Sequence, residues 1–283
     1  MYYSSRTHEA TRARRLQIEL LQEQGRTTRD IGHERLCRLL FWAVTCGTVT
    51  EPESRILTGK RGLLKRFAGQ GWFTQKPMPA GLIVSLEFPH QHYFLPTPAG
   101  LEFFYQRAPN FVQYTSRGIG AHYAHEYVGR IEAAWRFKSG LISAFTPEFR
   151  LSNQSLDGCK HYDALWTHPD GKITGVEVEN FDHKSGNKLD RFVSMIVNDL
   201  IDKTISAACI IVPSETQQKY YAAAFSEGAS YYRRWVFEQR KWWPMTKSKT
   251  QIDAALAQQI EVVVRKGREL ILVPDYDDFL LRR

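Results

Sequence analysis

Apolar positions recur at helical spacing over residues 34–46, where Leu36, Leu39, Leu40, Ala43 and Val44 define one buried face. Gly47 follows as a stop. Thr50, Pro52 and Glu53 then stand as in a capping box with proline in the first turn, which predicts a short helix over 51–57. Thr58-Gly59 is a tight turn, and 60–69 is a further helix with Leu63, Leu64 and Phe67 inward. The pattern next becomes strand-like from Gly71, reaches a Pro/Gly-rich tip over 76–81, returns over 92–95 and closes with a helix over 98–106. Residues 107–120 contain Pro109, Gly118 and Gly120, lack periodicity and read as a connecting segment.

Beyond it the pattern predicts a long amphipathic helix over 121–138, a strand within 141–151 and a polar loop over 152–158. A strand over 161–167, a Pro169-Asp170-Gly171 turn and a partner strand over 172–179 make a hairpin. A helix over 188–203, an apolar strand over 207–212 and a helix over 215–227 complete the order α-β-β-β-α-β-α. Residues 251–259 look helical, and 261–264 with 270–273 form a predicted hairpin.

The chain has 283 residues, 43% apolar and 24% charged, which is ordinary globular composition and suggests two domains. Its apolar runs are too short to span a bilayer, and residues 1–15 are polar and basic, unlike a signal peptide. Cys37, Cys46, Cys159 and Cys209 lie far apart, which fits reduced thiols in a cytoplasmic protein and excludes a disulfide scaffold or a cysteine zinc site. The net charge of +8 is uneven: residues 1–120 hold 16 basic and 9 acidic side chains, and 121–283 hold 22 and 21. A locally basic front part attracts polyanions, nucleic acid first among them, although a solubility charge reads the same way.

Helix, short helix, turn and basic helix is the order of a helix-turn-helix, whose last helix enters the major groove. No acidic residue stands between Glu53 and Glu87, whereas Arg55, Lys60, Arg61, Lys65, Arg66 and Lys76 do. A surface facing phosphates must be free of like-charge repulsion in this way. The Gly71-Trp72-Phe73 and 93–100 (YFLPTPAG) segments make this region resemble winged helix-turn-helix domains of bacterial regulators. A winged helix used for protein docking is the competing reading.

In the second part, Glu177 and Glu179 stand two apart on one strand and project to one face, and Asp163 lies on the neighbouring strand. Converging carboxylates call for a cation, and oxygen-only ligands suit Mg²⁺ or Mn²⁺. The layout resembles the PD-(D/E)xK nuclease superfamily, with Asp163 at the family's aspartate and Glu177-Val178-Glu179 at its (D/E)-x-K. Glu179 replaces the motif lysine, so Lys184, Lys188 or Arg191 is left to supply the cation.

A winged helix followed by such a core resembles the replication-relaxation family, and within it the MOB-C class of plasmid mobilisation relaxases, over residues 30–215. The resemblance implies an α/β (α+β) fold: an arm over 1–29, a winged helix-turn-helix domain over 30–108, a linker over 109–120 and a restriction-endonuclease-like mixed-sheet domain over 121–283. It implies metal-dependent nicking of one strand at a plasmid transfer origin for conjugation, with delivery to a type IV secretion coupling protein beside accessory mobilisation proteins. Asp163, Glu177 and Glu179 would be metal ligands, and Lys188 and Arg191 would face phosphate. His125, Glu126 and Tyr162 are additional candidates, and Tyr162 and the tyrosines of 220–232 are candidates for covalent attachment to DNA.

Residues 231–249 interleave aromatics and bases, Arg233, Arg234, Trp235, Lys241, Trp242 and Trp243 among them, with Glu238 alone opposing. Aromatic faces beside cations hold single strands, here the released one; an aromatic core edge with solvated bases is the structural alternative. Duplex contacts are expected from Lys60, Arg61, Lys65, Arg66 and Lys76. His90-Gln91-His92 is a weak metal pair beside Tyr2 and Tyr3, and phosphate-loop, esterase and zinc-protease motifs are missing. Two other functions fit the same residues: a non-catalytic DNA-binding regulator of plasmid replication or transfer, and a double-strand endonuclease.

Overall fold

The computed structural model describes residues 24–79, 92–116, 119, 123–151, 160–179, 184–238 and 241–265. The His90-Gln91 positions, Tyr2, Tyr3, Cys159 and the strand predicted over 270–273 lie outside them, as do most of the predicted arm and the end of the predicted tip.

Helix α1 (Thr28–Cys46) begins at Thr27, whose side chain accepts from the Asp30 N–H while Asp30 accepts from the Thr27 N–H, and it ends at Gly47 with φ 77°. Strand β1 (Val49–Thr50) leads into α2 (Glu51–Thr58), where the Glu53 carboxylate accepts from the Thr50 N–H and hydroxyl, both at 2.8 Å. The next helix, α3 (Leu63–Gly69), is shorter than the predicted 60–69. Gly59 and Gly62 both take the left-handed conformation, so Lys60 and Arg61 lie in the turn before it. Strands β2 (Phe73–Pro77) and β3 (His92–Pro96) pair antiparallel, with β1 on the other side of β3. Helix α4 (Pro98–Tyr105) closes this part, and Gly100 lets it touch the backbone there, since a Cβ would meet the Trp72 carbonyl oxygen at 2.5 Å.

The second part starts with α5 (Tyr123–Lys138). The segment predicted as a strand over 141–151 divides into β4 (Ala144–Pro147) and a helical turn, α6 (Glu148–Leu151). Strands β5 (Ala164–Thr167) and β6 (Ile173–Val178) form the predicted hairpin. Helix α7 (Gly186–Ile201) crosses to β7 (Ala207–Val212), parallel to β6, and α8 (Glu215–Ala224) follows. Two small antiparallel pairs come next: β8 (Ser230–Tyr231) with β11 (Thr250–Gln251), and β9 (Trp235–Glu238) with β10 (Lys241–Pro244). Where a longer helix over 251–259 is expected, only α9 (Ala254–Ala257) forms, capped by Asp253. The final strand, β12 (Ile260–Val264), pairs parallel with β7, a neighbour not predicted for it; its expected hairpin partner over 270–273 lies outside the described residues. Its alternating apolar pattern announced a strand but carried no information about its partner. The result is one five-stranded mixed sheet, β12-β7-β6-β5-β4, with the antiparallel strands at one end.

A continuous core joins the two parts. Leu39, Leu40 and Trp42 of α1 pack with Ala133 and Ala134 of α5 and with Phe145, Trp166 and Val176 of the sheet. Trp42 stacks on Phe145 at 5.5 Å between centroids. Arg130 of α5, fully buried, donates to both Glu53 oxygens at 2.8 and 3.0 Å and to the Thr48 hydroxyl and carbonyl. Trp42 Nε1 donates to the same Glu53 carboxylate at 2.8 Å. A buried charge is tolerable only when so completely paired. Arg150 donates to the Val44 and Thr45 carbonyls, two of the groups that the end of α1 leaves unbonded. The segment predicted as a connection packs as well: Phe111 lies 5.1 Å from Phe41, and Tyr114 donates to the Gly47 carbonyl.

Candidate functional site

The β5–β6 hairpin sets the geometry. Asp163 and Glu179 stand one residue outside the strands, yet both continue the ladder, through Asp163 N–H to Val176 O at 3.0 Å and Glu179 N–H to Ile211 O at 2.8 Å. Asp163 spends one carboxylate oxygen on the Val178 N–H at 2.7 Å, in the place a further backbone acceptor would hold. His125, on the first turns of α5, has Nε2 3.6 Å from that same oxygen.

Glu177 is 5% exposed, and Lys160 Nζ stands 2.7 Å from its Oε1. Burial pushes the Glu177 carboxyl up to about 8; Lys160 opposes the rise, and Asp163 and Glu179 add to it. Their mutual repulsion shows the three carboxylates to be electrostatic neighbours. Glu179 forms an ion pair with Lys184 and accepts from the Tyr221 hydroxyl at 3.1 Å. The Lys160 and Lys184 ammonium groups lie 5.3 and 4.4 Å from the Phe192 ring, which α7 supplies from below. Tyr220 donates to the Lys184 carbonyl at 2.7 Å and Tyr221 accepts from the Lys184 N–H, which fixes the segment carrying this lysine.

The hairpin thus brings Asp163, Glu177 and Glu179 to one end of the sheet, with Lys184 and His125 beside them. Lys188 is exposed on α7, and Arg191 stacks on Trp242 at 5.5 Å rather than reaching the carboxylates. Glu126 turns away, to Arg130 at 3.6 Å. Tyr162 is buried; its hydroxyl donates to Asp199 at 2.8 Å, and its ring covers Gly175, whose missing side chain makes the room. Sequence reasoning did not find Lys160 or Asp199, and Tyr221, named only among the tyrosines of 220–232 as an attachment candidate, instead holds Glu179. Lys160, three residues before Asp163 with no periodic pattern around it, carried no signal beyond its charge.

No family model matches the chain, and neither a curated protein nor a solved structure matches it.

The donor set is hard, all carboxylate oxygen, and one member is desolvated, which is chemistry suited to a divalent cation. Among the described residues, however, no three His, Cys, Asp or Glu side chains gather closely enough to hold an ion. The two glutamates are neutralised by lysines instead, and Asp163 is turned toward a backbone N–H.

Elsewhere, Lys65 and Arg66 are exposed on α3, Arg61 in the turn before it and Lys76 on β2, whereas Arg55 is buried. Arg233 is held by Asp202 at 2.6 Å and Asn198 at 2.8 Å, and Arg234 is exposed. Trp242 and Trp243 are 37% and 48% exposed on β10, and Arg191 joins this hairpin to the start of α7, the helix that follows Lys184.

Proposed function

We propose that this protein cleaves a DNA strand at the Asp163–Glu177–Glu179 end of the sheet, with the front part holding the duplex. The reading follows the resemblance to mobilisation relaxases. The observation that supports it best is Glu177, a buried carboxylate paired with Lys160 and flanked by two other carboxylates, of which Glu179 is paired with Lys184, at the end of a β-β-β-α-β sheet. Structural glutamates are seldom buried in such company; sites that handle a charged reacting group are.

The roles divide by geometry. Asp163 and Glu177, joined by Glu179 once it exchanges Lys184, would hold a Mg²⁺ or Mn²⁺. Such an ion, when bound, lowers the pKa of a water and offsets charge on the phosphate. Lys160 and Lys184 stand in for the lysine that Glu179 displaces from the motif: each ammonium is free to swing from a carboxylate to a phosphate oxygen. Tyr221 holds Glu179, and the Phe192 ring packs beside both ammonium groups. The winged-helix reading of the front part rests on its strand and helix order, with Lys65, Arg66 and Lys76 toward the phosphates. The Trp242–Trp243 hairpin, with Arg191 and Arg234, offers faces and charges to the released strand.

A second reading, a regulator without chemistry, is favoured by the paired state of both glutamates. A supercoiled plasmid carrying the DNA that flanks this gene, incubated with Mn²⁺, separates the possibilities on one gel. Open circles support a nickase, linear product a double-strand endonuclease, and unchanged plasmid the regulator.

A further inference from the structure

A second concavity lies far from the carboxylates in the chain, where α1, the end of α4 and the end of α5 meet. It forms an open groove of about 480 Å³, within the range of small-molecule sites. Phe41, Phe104 and Phe137 form its walls, with Phe41 and Phe137 stacked at 5.5 Å. Its polar lining is unbalanced: Arg38, Arg107 and Lys138 against Glu34 alone. Glu34 is already committed to Arg26 and Arg38. Arg107 stacks on Phe103 and donates to its carbonyl, which leaves its charge without a carboxylate among the described residues. Lys138 likewise has no ion pair among them, and burial, with Arg38 and Arg35 outweighing Glu34, holds its ammonium below the usual lysine range. Three cations at an apolar pocket whose single carboxylate, Glu34, is shared with Arg26 carry an electrostatic cost that a bound anion relieves.

We propose that this groove binds a small organic acid, its apolar body against the three phenylalanine rings and its carboxylate on Lys138 and Arg107. A cationic ligand meets net repulsion here, and a fully polar anion such as inorganic phosphate gains nothing from the phenylalanine walls. Cys37 lines the same groove, so its thiol reports on occupancy. Cys46 and Cys209 are buried.

The test uses the full chain and 2-naphthoate as the probe, with 2-naphthylmethylamine and inorganic phosphate as controls, titrated calorimetrically. The acid is expected to bind and both controls to bind at least about tenfold more weakly. Lys138→Met, which keeps the apolar stem, should weaken the acid on the order of tenfold at an unchanged unfolding temperature. In a Cys159→Ser background, saturating naphthoate should slow maleimide labelling of Cys37. The proposal is overturned if naphthoate does not bind, if the amine or phosphate binds as well, if Lys138→Met leaves its affinity intact, or if Cys37 labels at the same rate with and without it.

Discussion

Glu177 shows how the place of a single side chain changes its readiness to ionise. Its usual value near 4.5 rises to about 8 because burial and two neighbouring carboxylates outweigh Lys160. The folded protein therefore holds this proton more tightly than the unfolded chain. The associated stability is complete below about 4.5 and is lost as the pH rises through about 8. Urea midpoints of the metal-free protein at pH 5 and pH 8 should accordingly differ less in Glu177→Gln than in the native chain; an equal or larger difference would contradict the assignment. Gly175 is constrained by a second local fact, since a Cβ there would stand 2.5 Å from the Tyr162 ring. With Tyr162 tied to Asp199, Gly175→Ala should cost about 1–3 kcal/mol, read as a lowered thermal midpoint, and should disturb Asp163 next to it. The glutamate pair was legible in the sequence because a strand's period of two places alternate residues together. Lys160 was not, because the approach of an irregular segment to a strand end is decided by tertiary packing.

At the scale of elements, the helices and strands nearest the site follow local signals: the Thr50–Glu53 box starts α2, Gly47 ends α1, and the Pro169-Asp170-Gly171 turn closes the β5–β6 hairpin. The parallel pairing of β12 with β7 was not foreseen, because the local signal speaks of type and not of partner, and glycine conformation made α3 shorter than expected. The joint between α2 and α5 was invisible, for Glu53 and Arg130 are 77 residues apart. Arg130→Met should cost about 3–5 kcal/mol, because it strands a buried carboxylate, and pairing it with Glu53→Gln should recover part of that loss in the same unfolding assay. Helix α3 offers a cleaner test of the front part. Replacing Lys65 and Arg66 by alanine should weaken duplex binding and lower the slope of log affinity against log salt by about 2, while metal binding is unchanged. An unchanged slope would remove α3 from the interface.

For the whole molecule, the two parts share one core, so the basic front surface and the carboxylate end of the sheet are held by the same packing. Composition located the excess of basic side chains in the first 120 residues without revealing how firmly that part would be attached. No helix among the described residues is long and apolar enough to cross a membrane. The account as a whole stands on the chemistry of one end of one sheet. Its most direct test is the Mn²⁺-dependent relaxation of supercoiled plasmid carrying the flanking DNA, compared between the native chain and Asp163→Ala, with duplex binding measured on both. Loss of relaxation by at least about a hundredfold, with binding kept within a few fold, is the result the account predicts. Relaxation at the native rate by Asp163→Ala, or none by the native chain with either Mn²⁺ or Mg²⁺, would contradict it.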